Sequence, residues 1–598
     1  MSAERIVISD VSPQVDCGRW PAKACVGDCV DVAATVVRDG HETLRAVVRY
    51  RRPKGRWREA PLAALGNDRF AGSFEVDAVG RWRFEIEAWV DRHAGWLEEH
   101  ERKVAAGQAD LTGELTEGEA LFGAGTVDDW RAAALRLGEH ERPGAARSTL
   151  LELEVERERA RTGAWYELFP RSWGGLAGVT EVVPELAELG FDVVYLPPIH
   201  PIGRTNRKGR NNTERAEPGD VGSPWAIGAA EGGHDAIDPA LGDEAGLAAL
   251  VAALRTHGME LALDLAIQFS PDHPWLAEHP GWFQRRPDGS LKYAENPPKR
   301  YQDIHNLDWD TRERKALWAG IRDLVLRWCE AGVTVFRVDN PHTKPVPFWE
   351  WLIAEVRKRH PETVFLSEAF TRPSMMTLLA KAGFSQSYTY FTWKNTKAEL
   401  VELVEELRGW SAFLRPNLWP NTPDILHAYL QQGGRPAFEC RLVLAATLSP
   451  SYGIYSGYEA CESVPVRAGS EEYLDSEKYE VKERRLEGPL LPLLRRLNEV
   501  RRAHPALTGA GLERLTWLET ESDHLLSYAR TLGRDAVLVA VNLDPFAVHD
   551  GVCVVPWELG LGDAFRVVDA LTGEVYDWGS RNYVRLGPGQ AHVLEVER

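Results

Sequence analysis

Four acidic residues each close or follow an apolar run of strand type. Asp264 ends Glu260-Leu-Ala-Leu-Asp264, Asp339 ends Val333-Thr-Val-Phe-Arg-Val-Asp339, Glu368 ends Thr363-Val-Phe-Leu-Ser-Glu368, and Asp424 ends a weaker run from Leu418. Burying an acid without a partner is costly, so acids at strand ends call for partners. Arg337, two residues before Asp339, points to the same side of its strand and can hold that carboxylate ionised. Two carboxyls that converge in unequal environments suit chemistry at a glycosidic bond. The ionised one attacks the anomeric carbon while the protonated one donates to the leaving oxygen, and a third acid grips the sugar hydroxyls as positive charge develops.

The elements that must position these acids lie between residues 163 and 502, where buried-type strands alternate with amphipathic helices. Eight strands are expected: 164–169, 192–196, 260–264, 333–339, 363–368, 386–391, a weak one at 418–424, and 452–455. Helical spacing is clear at 182–189, 244–255, 312–330, 348–359, 398–407 and 441–448. The expected fold class is therefore multidomain α/β with a central (β/α)8 barrel. Two strand-to-helix connections, 201–241 and 270–308, are far longer than ordinary barrel loops and are rich in Pro, Gly, Trp, Tyr, Lys and Asn, so they are expected to build the active-site face.

Outside the barrel, residues 1–96 read as an N-terminal β-sandwich, with runs such as Val30–Val37, Leu44–Tyr50 and Arg81–Val90 separated by turn residues. Residues 97–162 read as a small helical segment, including Trp130–Leu137 and Ser148–Val155. Residues 503–598 return to β pattern, in His524–Arg530, Ala536–Leu543, Val552–Val555 and Ala591–Glu597, and are expected to form a C-terminal β-sandwich.

With 598 residues, 44% hydrophobic and 27% charged, the chain has apolar material for several cores. Its 70 basic against 89 acidic residues give a net charge of −19, which disfavours nucleic acid and anionic membrane surfaces as partners. The early residues Met1–Asp10 lack the apolar stretch of a secretory signal, and no run is long enough to span a membrane, so a cytoplasmic location is expected. Seven cysteines are too sparse for a disulfide scaffold, and Cys17, Cys25 and Cys29 lack a fourth tightly spaced ligand, so no metal site is expected there.

Val335-Phe-Arg-Val-Asp-Asn-Pro-His342 resembles the nucleophile strand of the α-amylase superfamily, Phe365-Leu-Ser-Glu-Ala-Phe370 its acid/base strand, and Trp419-Pro-Asn-Thr-Pro-Asp424 the segment bearing its third carboxylate. The fuller strings Val338–Pro345, Ser270–Trp275, Pro298–Ile304 and Ser476–Glu480, with Gly18–Lys23, are similar to one subgroup, the α-1,4-glucan:maltose-1-phosphate maltosyltransferases. That resemblance implies Asp339 as nucleophile, Glu368 as general acid then base, Asp424 as transition-state stabiliser, Arg337 orienting Asp339, and Asp264 shaping the barrel mouth. It implies that Asn296, Lys299, Tyr301 and Asn340 surround a donor phosphate and that Lys208, Gln268, Lys478 and Tyr479 contact maltosyl sugars. Such donors compensate a phosphate's charge without a metal, and no cofactor is expected. Gln268-Phe269 and Pro423-Asp424 stand where hydrolases of the superfamily carry Asn-His and a His before the third acid. These departures match the maltosyltransferases and weaken a plain amylase reading.

The resemblance implies transfer of maltosyl units from α-maltose 1-phosphate to an α-1,4-glucan by a homodimer formed through its N-terminal and helical regions. The rival readings are a hydrolase or disaccharide isomerase of the same superfamily and a non-catalytic glycan-binding protein. His234 in the second long loop is balanced between lining the sugar pocket and a structural loop role, and His342 between supporting the nucleophile strand and local packing.

Overall fold

The computed structural model describes residues 5–142, 144–296 and 299–597, and the chain divides into two units, Met1–Arg157 and Glu158–Arg598. The first unit holds a nine-stranded sheet arrangement. Its strand Arg58–Gly66 pairs through its first half with Leu44–Arg51 and through its second half with Arg69–Glu75, so one strand passes between two sheet faces. Three helices, Arg92–Ala105, Thr112–Phe122 and Val127–His140, are inserted between strand Gly80–Val90 and the short strand Ala146–Arg147 that pairs back onto it.

Residues 148–155, read above as helical, instead contribute the strand Leu151–Glu156. Leu151, Leu153 and Val155 are buried. Between them, Glu152 and Glu154 accept hydrogen bonds from Arg83 and Arg81 on the neighbouring strand, at 3.0 and 2.7 Å. The period-two alternation and these cross-strand ion pairs prevail over the helix propensity of Leu and Glu.

In the second unit eight parallel strands occupy one sheet: Gly163–Glu167, Val193–Leu196, Glu260–Leu265, Val335–Val338, Val364–Ser367, Gln386–Ser387, Asn417–Leu418 and Ser451–Tyr455. They run in chain order from the first to the sixth, and the eighth pairs with both the first and the seventh. A bridge from Ser387 to Pro416 brings the sixth and seventh together, so the (β/α)8 barrel expected from the sequence is present. The sixth and seventh strands are shorter than expected. The chain turns after Ser387 toward a 3-10 turn at Tyr390–Trp393, and Asp424 lies six residues beyond Leu418, on a loop.

Trp165, Val193, Ala262, Val335 and Val364 fill the barrel interior, with Tyr388 and Trp419 stacked beside them at 5.1 Å. Two residues further along the first four strands the inward positions are Glu167, Tyr195, Asp264 and Arg337, all buried. The apolar floor therefore gives way to a charged layer directly beneath the strand ends.

Residues 515–597 form an eight-stranded antiparallel arrangement. Strand Leu515–Thr520 pairs first with Leu525–Leu532 and then with His549–Val554, wrapping both faces over Leu525, Leu538, Trp578, Val584 and Leu594. The barrel's seventh helix, Ala428–Leu448, is broken at Gly434 and meets this domain through Thr447 and Tyr528, whose hydroxyls lie 2.6 Å apart.

Gly453 on the eighth strand has no room for a side chain: a Cβ there would lie 2.3 Å from the Trp419 ring. Gly453→Ala is expected to destabilise the protein by about 1–3 kcal/mol through overpacking, read as a lower denaturant midpoint. An unchanged midpoint would contradict the close packing of Trp419 on the eighth strand.

Candidate active site

The fourth barrel strand delivers Arg337 into the barrel and Asp339 to its rim. Arg337 is 5% exposed, and its guanidinium serves three acids at once. Nη1 donates to Asp264 at 2.8 Å and to Asp339 at 2.9 Å, while Nη2 lies 2.8 Å from Glu368 Oε1. Its central carbon lies over the rings of Tyr195 and Tyr388, each centroid 5.8 Å away. The Tyr195 hydroxyl donates to Asp264 Oδ2 at 2.6 Å, the same oxygen that takes the Arg337 bond.

The turn after Asp339 is strained. Asn340 has φ 42°, in the left-handed region that Asn tolerates better than most residues. That conformation aims the Asn340 backbone N–H at Glu368 Oε2, 3.2 Å away, while its side-chain amide donates to Asp339 at 3.3 Å. Lys344 Nζ caps the turn by donating to the carbonyls of Asp339 and Asn340 at 3.3 and 3.2 Å. Gln268, past the third strand, donates to Asp339 Oδ2 at 2.5 Å.

These partners split the acids. Burial pushes the Asp339 carboxyl up, but Arg337, Lys344 and the Asn340 amide together hold it below the ordinary carboxylate value. At Glu368 burial is the largest influence; Arg337 relieves it in part, the charges of Asp339 and Asp424 add to it, and the carboxyl is pushed from the ordinary 4.5 to about 8. Asp264 is pushed to about 7, again chiefly by burial. Glu167, buried beside this group with one carboxyl oxygen unpartnered among the described residues, is driven well above the usual range by burial. At neutral pH the site therefore holds an ionised Asp339 beside a protonated Glu368, which is the division of labour that displacement with protonation of a leaving group requires.

Asp424 belongs to a second cluster. It is half-buried and ion-paired with Lys478, whose ammonium also lies over the rings of Trp225 at 5.4 Å and Tyr479 at 5.7 Å. Lys208 is buried and donates to Gln302 at 2.9 Å. Asp303, next to Gln302, is buried with one carboxyl oxygen unpartnered among the described residues, is pushed up by desolvation, and senses the charges of both Lys208 and Lys478. Tyr301 is half-buried on the hairpin formed by Tyr293–Asn296 and Lys299–His305. Asn296 and Lys299 face each other across the tip of that hairpin, and their side chains lie outside the described residues.

His234 does not face the acids. It bonds Ala266 O through Nε2 at 2.8 Å and His273 Nε2 through Nδ1 at 3.0 Å. Because His273 Nδ1 accepts the Trp275 N–H, His273 Nε2 carries the proton that His234 Nδ1 accepts, and His234 Nε2–H then donates to Ala266. Desolvation keeps both rings neutral, and the pair ties the second and third loops to the end of the third strand. His342 is half-buried in the turn Pro341–Thr343, and its Nδ1 has no hydrogen-bond partner among the described residues.

Sequence reasoning missed Lys344, Glu167, Asp303 and Glu477. Glu477, adjacent to Lys478, is fully buried and accepts from the Tyr455 hydroxyl and from Arg484 at 3.0 and 2.7 Å. Arg484 also pairs with Glu462, and Arg171 donates to the Glu477 carbonyl. This buried network ties the loop bearing Lys478 to the eighth strand. The signal available in sequence was the Ser476-Glu-Lys-Tyr-Glu480 string itself, in which the acid beside Lys478 had no visible partner.

Residues 4–165 match the model described as Alpha-1,4-glucan:maltose-1-phosphate maltosyltransferase, domain N/S, and residues 517–596 match that described as GLGE, C-terminal. The chain is 48% identical to Alpha-1,4-glucan:maltose-1-phosphate maltosyltransferase 2 of Streptomyces coelicolor, over 99% of this chain and 96% of the relative. It is 46% identical to the Alpha-1,4-glucan:maltose-1-phosphate maltosyltransferase of Mycolicibacterium smegmatis, over 99% and 97%. Among solved structures, an α-amylase from Lactobacillus plantarum superposes with a TM-score of 0.58 at 22% identity, covering 73% of this chain and all of that one, a likeness of fold.

Removing the Glu477 charge leaves Arg484 with one carboxylate instead of two, in a buried setting where a broken pair costs about 3–5 kcal/mol. Glu477→Gln is expected to lower the melting temperature and to speed amide hydrogen exchange in residues 470–484, with barrel strands unaffected. Unchanged exchange in that loop would remove Glu477 as its anchor.

Proposed function

The chain belongs to the α-1,4-glucan:maltose-1-phosphate maltosyltransferase family, and from that premise we propose that it moves maltosyl units from α-maltose 1-phosphate to the non-reducing end of α-1,4-glucans with release of phosphate, in glycogen or α-glucan synthesis. The observation that carries the mechanism is the sharing of Arg337 between Asp339 and Glu368, which are driven to opposite protonation states.

In this reading Asp339 attacks the anomeric carbon as the bond to phosphate breaks, and Glu368 gives its proton to the departing phosphate oxygen. A β-linked maltosyl ester on Asp339 results. The acceptor 4-hydroxyl then attacks that carbon while Glu368, now a carboxylate, takes its proton, and a second inversion restores the α linkage. Asp424 stabilises the oxocarbenium-like charge. Gln268 and Asn340 hold Asp339 in line, and the Lys208, Lys478 and Tyr479 group is assigned to the maltosyl sugars. Asn296, Lys299 and Tyr301 on the hairpin, with Asn340, are assigned to the donor phosphate. The resemblance of the motifs to the family supports a homodimer, and a cytoplasmic location is proposed with it.

Phosphate release from α-maltose 1-phosphate is the test, with and without a maltooligosaccharide acceptor and with mass spectrometry of the glucan. Acceptor-dependent release with products growing by two hexoses is expected, and release of free maltose alone would overturn transfer in favour of donor hydrolysis. Asp339→Ala is expected to lower kcat by roughly 10³ or more.

The pH dependence follows from the raised Glu368. A group pushed to about 8 holds its proton below that pH and loses it above. The donor kcat/KM is therefore expected to fall on the alkaline side through pH 8, and a profile flat to about pH 9.5 would contradict Glu368 as the acid.

A further inference from the structure

Away from the barrel mouth, three metal-ligating side chains of the C-terminal domain converge. His524, Asp544 and His549 offer one donor atom each, all within 4.8 Å of one another. The His549 Nε2 to Asp544 Oδ2 distance is 2.9 Å, and the rings of His524 and His549 stack with centroids 4.1 Å apart and planes at 23°. We propose that these residues form a transition-metal site of the zinc class, acting as a structural staple between the start of strand Leu525–Leu532 and the connection that follows strand Asp535–Asn542.

The backbone holds the three residues in place. The His524 carbonyl accepts the Leu543 N–H at 2.8 Å, which sets that imidazole beside Asp544. Asp544 Oδ1 is occupied by the N–H groups of Phe546 and Ala547 at 2.8 and 3.3 Å, so Oδ2 is the edge turned toward His549. Such an outer hydrogen bond orients a carboxylate ligand. The Asn542 amide bonds the carbonyls of Ala547 and Gly587 at 2.8 Å each, and the Tyr429 hydroxyl donates to Leu543 O at 2.6 Å, so the connection is braced from below.

The donor set selects the ion. Two imidazoles and one carboxylate suit zinc and its neighbours rather than calcium or magnesium, which take oxygen ligands. Tetrahedral bonds of about 2.0–2.1 Å place ligand atoms about 3.3 Å apart, so the His549–Asp544 edge is already near that spacing. Other histidines of this domain are arranged differently. His592 meets Asp569, and His504 lies between Asp535 and Glu595, each ring served by carboxylates without a second imidazole. With three protein ligands the fourth position is left to water.

Full-length protein stripped with EDTA and titrated with ZnCl2 by calorimetry tests this, with melting temperature and the visible spectrum of the CoCl2-loaded protein as second readouts. One equivalent of zinc bound in the micromolar range, a raised melting temperature and a tetrahedral cobalt spectrum are expected. His524→Ala, at an exposed position where folding is not at risk, should weaken zinc at least tenfold, and His524→Ala/His549→Ala should abolish the one-equivalent binding. Absence of micromolar zinc binding in the wild type, or unchanged binding in either variant, would overturn the site.

Discussion

The Arg337 guanidinium, buried and flanked by two tyrosine rings, is the one cation that touches Asp264, Asp339 and Glu368 among the described contacts. Four buried carboxyls, counting Glu167, surround it, and with Lys344 nearby there are two positive charges for four acids. Ionising all four would leave an excess of buried negative charge that a low-dielectric interior does not tolerate. Some must carry protons, and the local partners decide which. Asp339 has the most donors, from Arg337, Gln268 and Asn340, and is the one held ionised.

The rest of the unit serves that arrangement. The apolar floor of Trp165, Val193, Ala262, Val335 and Val364 supports the charged layer and excludes water beneath it. The left-handed turn at Asn340, capped by Lys344, lets one residue touch both Asp339 and Glu368. The long loops are fastened from outside the acid cluster: His234 and His273 anchor two of them to the third strand, and Glu477 with Arg484 anchors the segment carrying Lys478. Site precision thus comes from rigid strands for Asp339 and Glu368 and from buried polar networks for the long loops around them.

Much of this was legible in the chain because barrel strands are buried on both faces and read as short apolar runs ending in acids. Asp339 and Glu368 follow directly on strands Val335–Val338 and Val364–Ser367 for that reason. Asp424 was harder, since its strand is only Asn417–Leu418 and a loop carries it to the mouth. Leu151–Glu156 was misread because Leu and Glu favour helices when counted singly, while their strict alternation and cross-strand arginines favour a strand. Lys344, Asp303 and Glu477 were invisible because their significance lies in partners from distant segments, such as Lys208 beside Asp303 or Arg484 and Tyr455 around Glu477. Only tertiary structure pairs them.

The central claim is that Glu368 keeps its proton at neutral pH while Asp339, bound to the same guanidinium, does not. Difference infrared spectroscopy of the carboxyl region, comparing the full-length protein with Glu368→Gln across a pH titration, tests it most directly. A protonated-carboxyl band that is absent from the variant and persists until about pH 8 is expected. A Glu368 band that vanishes near the ordinary 4.5 would contradict it.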